Sequence, residues 1–246
     1  MPSKTDFNVS PYYDDFSKDK NFHRVMYRPG FAVQARELTT QQSILQNQIE
    51  KFGDHMFKNG SMVIPGNIHF NTSYRYIKLT SFTGTLANFK DTTVTGETSG
   101  IKAKVVNIAA TDGTDPDTLF VIYKDSGNDN IKAAFDVGET LASNAGTGET
   151  AIVSETEYGS ICYIEAGVFY INGYFVECAK QELILNKYDT LPSYRIGFTV
   201  GETFITSTDD TSLLDNAQGS SNENATGAHR LKITLTLAKL ELDSTA

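Results

Sequence analysis

Histidines and cysteines are the side chains in this sequence that most often carry chemistry. They are His23, His55, His69, His229, Cys162 and Cys178. No two histidines have the spacing of metal ligands, and neither cysteine has a histidine nearby in sequence that could activate its thiol. The sequence also lacks the motifs of an activated serine, a phosphate loop, a dinucleotide site and a zinc protease. We therefore predict no catalytic residue, no metal and no cofactor, and a protein that is not an enzyme.

Two acidic turns carry the density of oxygen atoms that a calcium loop needs. The first contains Asp112, Asp115 and Asp117, and the second covers residues 125–130. Neither has the alternate-position spacing of an EF-hand loop. Asp and Asn are also favoured in tight turns, because their side chains bond to the nearby backbone. We interpret both segments as turns.

Composition and charge exclude several classes of protein. Of the 246 residues, 39% are hydrophobic and 21% are charged, which excludes a disordered or collagen-like chain. The formal net charge of −9 disfavours nucleic acid and anionic membranes as partners. The sequence contains no apolar run of about 20 residues and no secretion signal at its N-terminus. We expect a protein made in the cytoplasm, with Cys162 and Cys178 as free, buried thiols.

The sequence predicts one long helix, which lies within the segment 37–60 and positions the side chains of that segment. Thr39 followed by Gln42 fits a capping box, and Asn59-Gly60 supplies a stop signal. These signals predict a helix over 39–58. Its apolar residues recur at steps of four and three, which is a heptad stripe with one polar member. The stripe consists of Leu38, Gln42, Leu45, Ile49, Phe52 and Met56. It predicts either packing on the chain's own sheet or self-association in a small parallel bundle.

Residues 1–36 differ in character from the rest of the chain. They carry a net charge of +2, whereas the remainder carries −11. Aromatic residues lie among polar ones without a helical or strand period, and Pro11 and Pro29 prevent a continuous helix. This pattern predicts an extended arm held by aromatic anchors. The rings either cover the protein's own core or dock onto a partner.

Beyond residue 60 the sequence is typical of short strands separated by Gly, Asn and Asp. We predict an α+β fold, mainly β with one N-terminal helix, in which residues 61–83 and 156–246 form a β-sandwich-like body. Residues 84–155, rich in Thr, Gly and Ala, are predicted to form an inserted small β-barrel or sandwich. Strands are predicted at 74–80, 101–108, 118–123, 151–154, 160–166, 167–171, 174–179, 182–185, 194–200, 203–207 and 230–242. A hairpin turn at Asn172-Gly173 is the strongest local pattern, and it places Cys178 opposite Gly167.

Several strings of residues are long enough to be specific to a family. Those in the arm and helix are Pro11-Tyr12-Tyr13-Asp14-Asp15-Phe16, Asn21-Phe22-His23-Arg24-Val25, Arg28-Pro29-Gly30, Val33-Gln34-Ala35-Arg36-Glu37-Leu38, Ile44-Leu45-Gln46-Asn47-Gln48-Ile49-Glu50 and Phe52-Gly53-Asp54-His55. Later strings are Asn172-Gly173-Tyr174-Phe175-Val176, Pro192-Ser193-Tyr194-Arg195 and Gly227-Ala228-His229-Arg230-Leu231. With these strings the chain resembles the N-terminal region of tailed-bacteriophage tail proteins. The resemblance covers residues 6–83 and 158–240, and hardly touches the segment between them.

The resemblance implies a structural virion protein that anchors a tail fibre or other appendage to the phage tail or baseplate. Such appendages are commonly homotrimers, which favours a trimeric bundle of the helix with Leu45, Ile49, Phe52 and Met56 as its contacts. The arm is expected to dock onto other tail, baseplate or fibre proteins. The residues expected to dock are Tyr12, Tyr13, Phe16, Phe22, Arg24 and Arg28. Because the chain ends soon after its last predicted strand, we also expect a longer native protein.

A receptor- or glycan-binding module of the appendage is the alternative function. The sugar would be held by residues 84–155 or by the polar loop 208–228, which is unusually long for a compact domain. A cell-wall-degrading enzyme is a third possibility, and it is disfavoured because no acid/base pair stands out.

Overall fold

The computed structural model describes residues 5–242, which are mainly β and contain a single α-helix. The helix is α1 (Ala35–Met56), and short 3-10 turns lie at Lys18–Lys20, Leu86–Phe89 and Thr211–Leu213. The strands are β1 (Met62–Ile64), β2 (Ile68–Thr83), β3 (Thr93–Gly96), β4 (Lys102–Ala109), β5 (Thr118–Asp125), β6 (Thr140–Ser143), β7 (Thr150–Ile164), β8 (Gly167–Ile171), β9 (Tyr174–Cys178), β10 (Gln181–Asn186), β11 (Tyr194–Ile205) and β12 (Arg230–Glu241). The predicted α+β fold class, mainly β with one helix, is confirmed. The first four residues of the predicted arm, and the C-terminus at which we expected the chain to continue, lie outside the described residues.

The chain divides into two compact units. The first contains the residues up to Ile68, together with Ile164–Gln181 and Gly197–Ala238. The second contains His69–Tyr163, Glu182–Ile196 and the residues from Lys239 onward. The predicted module 84–155 lies wholly within the second unit, which is wider than the module at both ends.

The second unit is built around a closed barrel of six strands. The strands follow the order β7-β2-β5-β4-β3-β6, and β6 pairs in turn with β7, while β10 extends the sheet beyond β7. Side chains alternate across β2, so that Ile77 and Leu79 point into the barrel while Tyr74 and Tyr76 join a separate cluster with Phe120. The interior residues are Ile77, Leu79, Phe89, Val94, Ile101, Ala103, Val105, Leu119, Val121, Phe135, Leu141, Ala151 and Val153. Closure removes the exposed strand edges that a small open sheet would leave.

Several strands differ from those predicted. β7 runs without interruption through both predicted strands 151–154 and 160–166, and β11 likewise joins 194–200 with 203–207. β2 begins six residues before the predicted strand 74–80. The prediction missed these six residues because they are exposed on both faces and show no alternation. β1, β3 and β6 were not predicted, since strands of three or four residues are too short for a periodic signal.

The helix also begins earlier than predicted. It starts at Ala35, where the Gln34 backbone N–H donates to the Glu37 carboxylate over 2.9 Å. Thr39 does not cap the helix as predicted. It lies inside the first turns, and its hydroxyl donates to the Ala35 carbonyl over 3.2 Å. The capping signal at Thr39 and Gln42 was therefore wrong, because a Glu three residues after Gln34 performs the same role earlier in the chain.

In the first unit, the predicted hairpin of β8 and β9 joins β1 in a three-stranded sheet. Its register places Gly167 opposite Cys178, as predicted. Cys162 and Cys178 are buried free thiols, which is also as predicted. β11 and β12 form a separate two-stranded sheet. The predicted alternation along β12 holds, since Leu235 and Leu237 are buried while Thr234 and Thr236 are exposed.

Candidate partner interface

The first half of the arm lies against the chain's own helix. The Asp14 carboxylate is buried and accepts hydrogen bonds from the hydroxyls of Thr40, over 3.0 Å, and of Ser43. Further along the arm, the Lys18 ammonium lies 3.3 Å from a carboxylate oxygen of Glu50. These polar contacts hold residues 14–18 of the arm on α1.

Two of the six predicted docking residues pack on their own chain. The Tyr12 ring lies 5.3 Å from the Phe204 ring between centroids, and its hydroxyl lies 2.8 Å from Nδ1 of His229. Tyr12 and Phe16 are both half-buried. Tyr12 and Phe16 therefore fit the first interpretation of the aromatic arm, in which the rings pack on their own chain and do not dock onto a partner.

The other four predicted docking residues are exposed. Tyr13 and Phe22 each expose 60% of their surface, and Arg24 and Arg28 are exposed as well. The Arg28 guanidinium lies 4.5 Å from the centre of the Phe31 ring, a cation–π contact at the surface. Met26 and Phe31 were not among the predicted docking residues, yet they are 80% and 65% exposed. The exposed arm segment, residues 21–34, thus presents large apolar side chains to its surroundings.

One side of α1 packs on the chain. The buried residues of this side are Thr40, Ile44, Asn47 and Gly53. The Tyr170 hydroxyl donates to the Glu50 carbonyl over 3.0 Å and to the Asp54 carboxylate over 2.8 Å, and the pKa of Tyr170 rises to about 12 because of burial and then of Asp54. A Cβ placed on Gly53 would lie only 2.4 Å from the Tyr170 ring. Gly53 therefore allows the hairpin to approach the helix closely.

The heptad stripe lies on the other side of α1 and is exposed. Ile49 and Thr40 are nine residues apart, about two and a half turns, so they point in opposite directions. The apolar members of the stripe are exposed by 51% (Leu38), 56% (Leu45), 44% (Ile49), 65% (Phe52) and 59% (Met56). Packing of the stripe on the chain's own sheet, one of the two interpretations above, is therefore wrong. Exposed apolar surfaces of this kind are characteristic of interaction sites, so the stripe is a candidate interface.

The stripe has a different neighbour on each flank. In heptad notation, with Gln42, Ile49 and Met56 at position a, one flank is position e and the other is position g. At position e, Gln46 donates to the Gly173 carbonyl over 2.7 Å. At position g, Gln41 accepts a hydrogen bond from the Tyr27 hydroxyl over 2.9 Å. The hairpin turn thus lies on the e flank, and the exposed arm segment lies on the g flank.

The first acidic turn is organised by its own backbone and by a lysine. The Asp112 carboxylate accepts the backbone N–H groups of Asp115 and Thr114 over 2.8 Å and 3.1 Å. The Lys187 ammonium lies 3.0 Å from Asp112 and 3.2 Å from Asp115. Hydrogen bonds from the Asp115 backbone and from Lys187 lower the pKa of Asp112 to about 2. This arrangement fits the interpretation of the segment as a turn.

Comparison with known protein families places most of the chain in one of them. Residues 10–122 and 137–246 match the family described as domain of unknown function (DUF4815). The chain belongs to the DUF4815 family. No curated protein and no solved structure matches the DUF4815 chain. The matched residues include the whole heptad stripe and the exposed arm segment, so the candidate interface lies in the part that defines the family. Within the described residues, no helix is long and apolar enough to cross a membrane.

Proposed function

We propose that the DUF4815 chain is a structural, non-enzymatic virion protein of a tailed bacteriophage that anchors a tail fibre or another appendage to the tail or baseplate. The observation that carries the proposal is the exposed apolar surface formed by the heptad stripe and the exposed arm segment. A protein that assembles with partners needs such a surface, whereas a monomer does not. The resemblance of the arm and helix strings to phage tail proteins supplies the biological setting.

The charge pattern of α1 supports parallel association of identical chains, for which the resemblance implies a homotrimer. In a parallel bundle of identical helices, each core position meets its own copy, so a charged residue in the core would face a like charge. From Leu38 to Met56 the core and flank positions carry no Asp, Glu, Lys or Arg. Charges such as Glu50 and Lys51 lie elsewhere on the helix. The helix is thus suited to parallel packing against itself.

The exposed arm segment supports docking onto a neighbouring chain of the assembly. Arginine and aromatic residues are the types that most often dominate the energy of a protein interface, and Arg28 and Phe31 already form a stacked pair. The exposed arm segment contains Arg24 and Arg28 and no carboxylate, on a chain whose net charge is −9. A neighbour with an acidic surface would therefore attract the arm.

The solution mass of the chain tests the bundle. By light scattering after size exclusion we expect a mass near three chains for the wild type and near one chain for Ile49→Asp, because the substitution buries three carboxylates at one level of the core. The matched control is Lys51→Asp, which adds the same side chain outside the stripe and should leave the mass unchanged. Helical circular dichroism must persist in both variants. A monomeric wild type would contradict the trimer.

The location in the virion is tested by microscopy. Gold-labelled antibodies against the purified chain are applied to particles of a tailed phage whose genome encodes it. We expect label on the tail or baseplate. If the antibody recognises the denatured particle proteins on a blot but does not bind intact particles, the epitope lies inside the particle. Absence from the blot would contradict the proposal.

A receptor- or glycan-binding module is the second candidate function. A groove of about 440 Å³ lies at the base of the long loop, which contains only the 3-10 turn Thr211–Leu213 and a bridge between Leu214 and Thr226 as regular structure. Its lining combines the apolar Ile205, Leu213 and Leu231 with the charged Asp209, Asp210, Arg230 and Lys232. A glycan array probed with the whole chain tests this function. Saturable binding that Arg230→Ala removes would support it, and an array without signal would contradict it.

A further inference from the structure

The two flanks of the heptad stripe lie beside different segments of the chain, and this difference determines which segments of two copies come into contact when their helices associate. The e flank of α1 carries the chain's own hairpin turn, through the 2.7 Å bond from Gln46 to the Gly173 carbonyl. The g flank carries the exposed arm segment, through the 2.9 Å bond from Tyr27 to Gln41. All four residues belong to the first compact unit.

Parallel helices in a bundle bring position g of one helix against position e of the next. Gln41 of one copy then faces the e position five residues further along the neighbouring helix, which is Gln46. Because Gln41 carries the arm and Gln46 carries the hairpin, the arm of each copy reaches the hairpin of the next copy. In an antiparallel arrangement g would face g, and arm would meet arm.

We propose that the exposed arm segment of one DUF4815 chain packs on the β8–β9 hairpin of a second copy. The inference rests on the proposed function only in taking the heptad stripe as the contact between copies. It identifies a second copy, and not an unrelated tail protein, as the partner that covers Met26 and Phe31.

Exposed side chains on the hairpin are suited to this contact. β9 is an edge strand of its sheet, and Phe175 on it exposes 42% of its surface. Glu177 points to the same side of the strand, is exposed and forms no ion pair within the described residues. The arm segment supplies the complementary groups, namely Arg24 and Arg28 together with exposed apolar side chains. Opposite charges beside matching apolar groups give such a contact both attraction and specificity.

Cross-linking between two single-cysteine variants tests the inference. Met26→Cys, carrying a longer affinity tag, is co-expressed with Glu177→Cys, and the mixed oligomer is treated with a short bismaleimide. The two native thiols are buried, and wild-type chain treated in the same way shows that they do not react. We expect a product of twice the chain mass that contains one chain of each variant. The matched control replaces Glu177→Cys with Ile64→Cys, an exposed residue on β1 at the opposite edge of the same sheet, and should give no such product.

The possible results separate this inference from the proposed function. An arm–arm product from Met26→Cys alone would overturn the inference and indicate antiparallel packing. An intact trimer without any arm–hairpin product would overturn the inference and leave the bundle in place. A monomeric wild-type chain would overturn both. Loss of the mixed product on addition of Ile49→Asp to each variant, with the helix still folded, is expected if the stripe brings the two groups together.

Discussion

At the scale of single residues, this protein uses polar side chains mainly to shape turns and to join segments of its own chain. Asp112 shows this use most clearly, since its carboxylate binds two backbone N–H groups and the Lys187 ammonium. Glu139 does the same in the barrel, where it is buried and accepts the backbone N–H groups of Thr98 and Ser99. The Asp112 oxygen atoms, which belong to one of the acidic turns considered as a calcium loop, thus accept hydrogen bonds from the chain itself.

The Asp112 contacts predict a specific response to acid. The pKa of Asp112 is lowered from 3.8 to about 2 in the folded chain, so the unfolded chain binds this proton at a higher pH than the folded chain does. The stabilising contribution of Asp112 is therefore present at pH values above its unfolded pKa of 3.8 and is lost as the pH falls through about 2. We expect the free energy of unfolding to decrease less steeply with acid, between pH 5 and pH 2, in Asp112→Asn than in the wild type. Parallel curves, measured by urea unfolding, would contradict the assigned contacts.

At the scale of elements, α1 acts as a helix with two faces. One face packs on the hairpin, where Gly53 admits the Tyr170 ring, and the opposite face carries the exposed stripe. The arm is joined to the packed face by Asp14. Because a helix in a monomer needs only one apolar face, the second face is the feature that the fold of a single chain does not explain.

The Asp14 contact predicts how firmly the arm is held. Asp14→Ala removes the buried acceptor of the Thr40 and Ser43 hydroxyls and should lower the free energy of unfolding by about 2–3 kcal/mol. Asp19→Ala, at an exposed position two residues before Asn21, is the matched control and should change it by less than about 0.5 kcal/mol. Urea unfolding measures both. Faster tryptic cleavage after Lys18 and Lys20 in Asp14→Ala alone is also expected, and equal cleavage in the two variants would contradict this function of Asp14.

At the scale of the whole molecule, the chain is organised as two compact units with separate cores. The barrel core is formed by residues of the second unit alone, such as Leu141 and Val153. Ile171, in the hairpin, is buried within the first unit. The chain passes between the units several times, so neither is a continuous segment of the sequence.

Two separate cores predict two separable unfolding transitions. Leu141→Ala and Ile171→Ala each create a cavity, which costs about 2–5 kcal/mol in the core concerned. We expect calorimetry to show two transitions, with Leu141→Ala lowering the midpoint of one and Ile171→Ala lowering the midpoint of the other. A single transition that both substitutions shift equally would show that the two units unfold together.

Local patterns in the sequence were sufficient for the fold class and for several elements. One helix, the Asn172-Gly173 hairpin with its register and the alternation along β12 were all predicted, because turn residues and hydrophobic period act over a few neighbouring positions. The stripe of α1 was also visible, since its spacing depends only on helix geometry. In contrast, the helix start was missed, because an equally local signal at Thr39 competed with the true cap at Gln34.

Only the tertiary structure decided which surfaces remained free. Closure of the barrel depends on pairing between β6 and β7, and a strand as short as β6 leaves no periodic trace in the sequence. The division of the arm into an anchored half around Tyr12 and an exposed half around Met26 depends on contacts with His229 and Gln41, which are distant in sequence. The sequence by itself determined that an apolar stripe exists. Which face of the helix the hairpin covers, and hence which face is left for a partner, was determined by packing around Gly53.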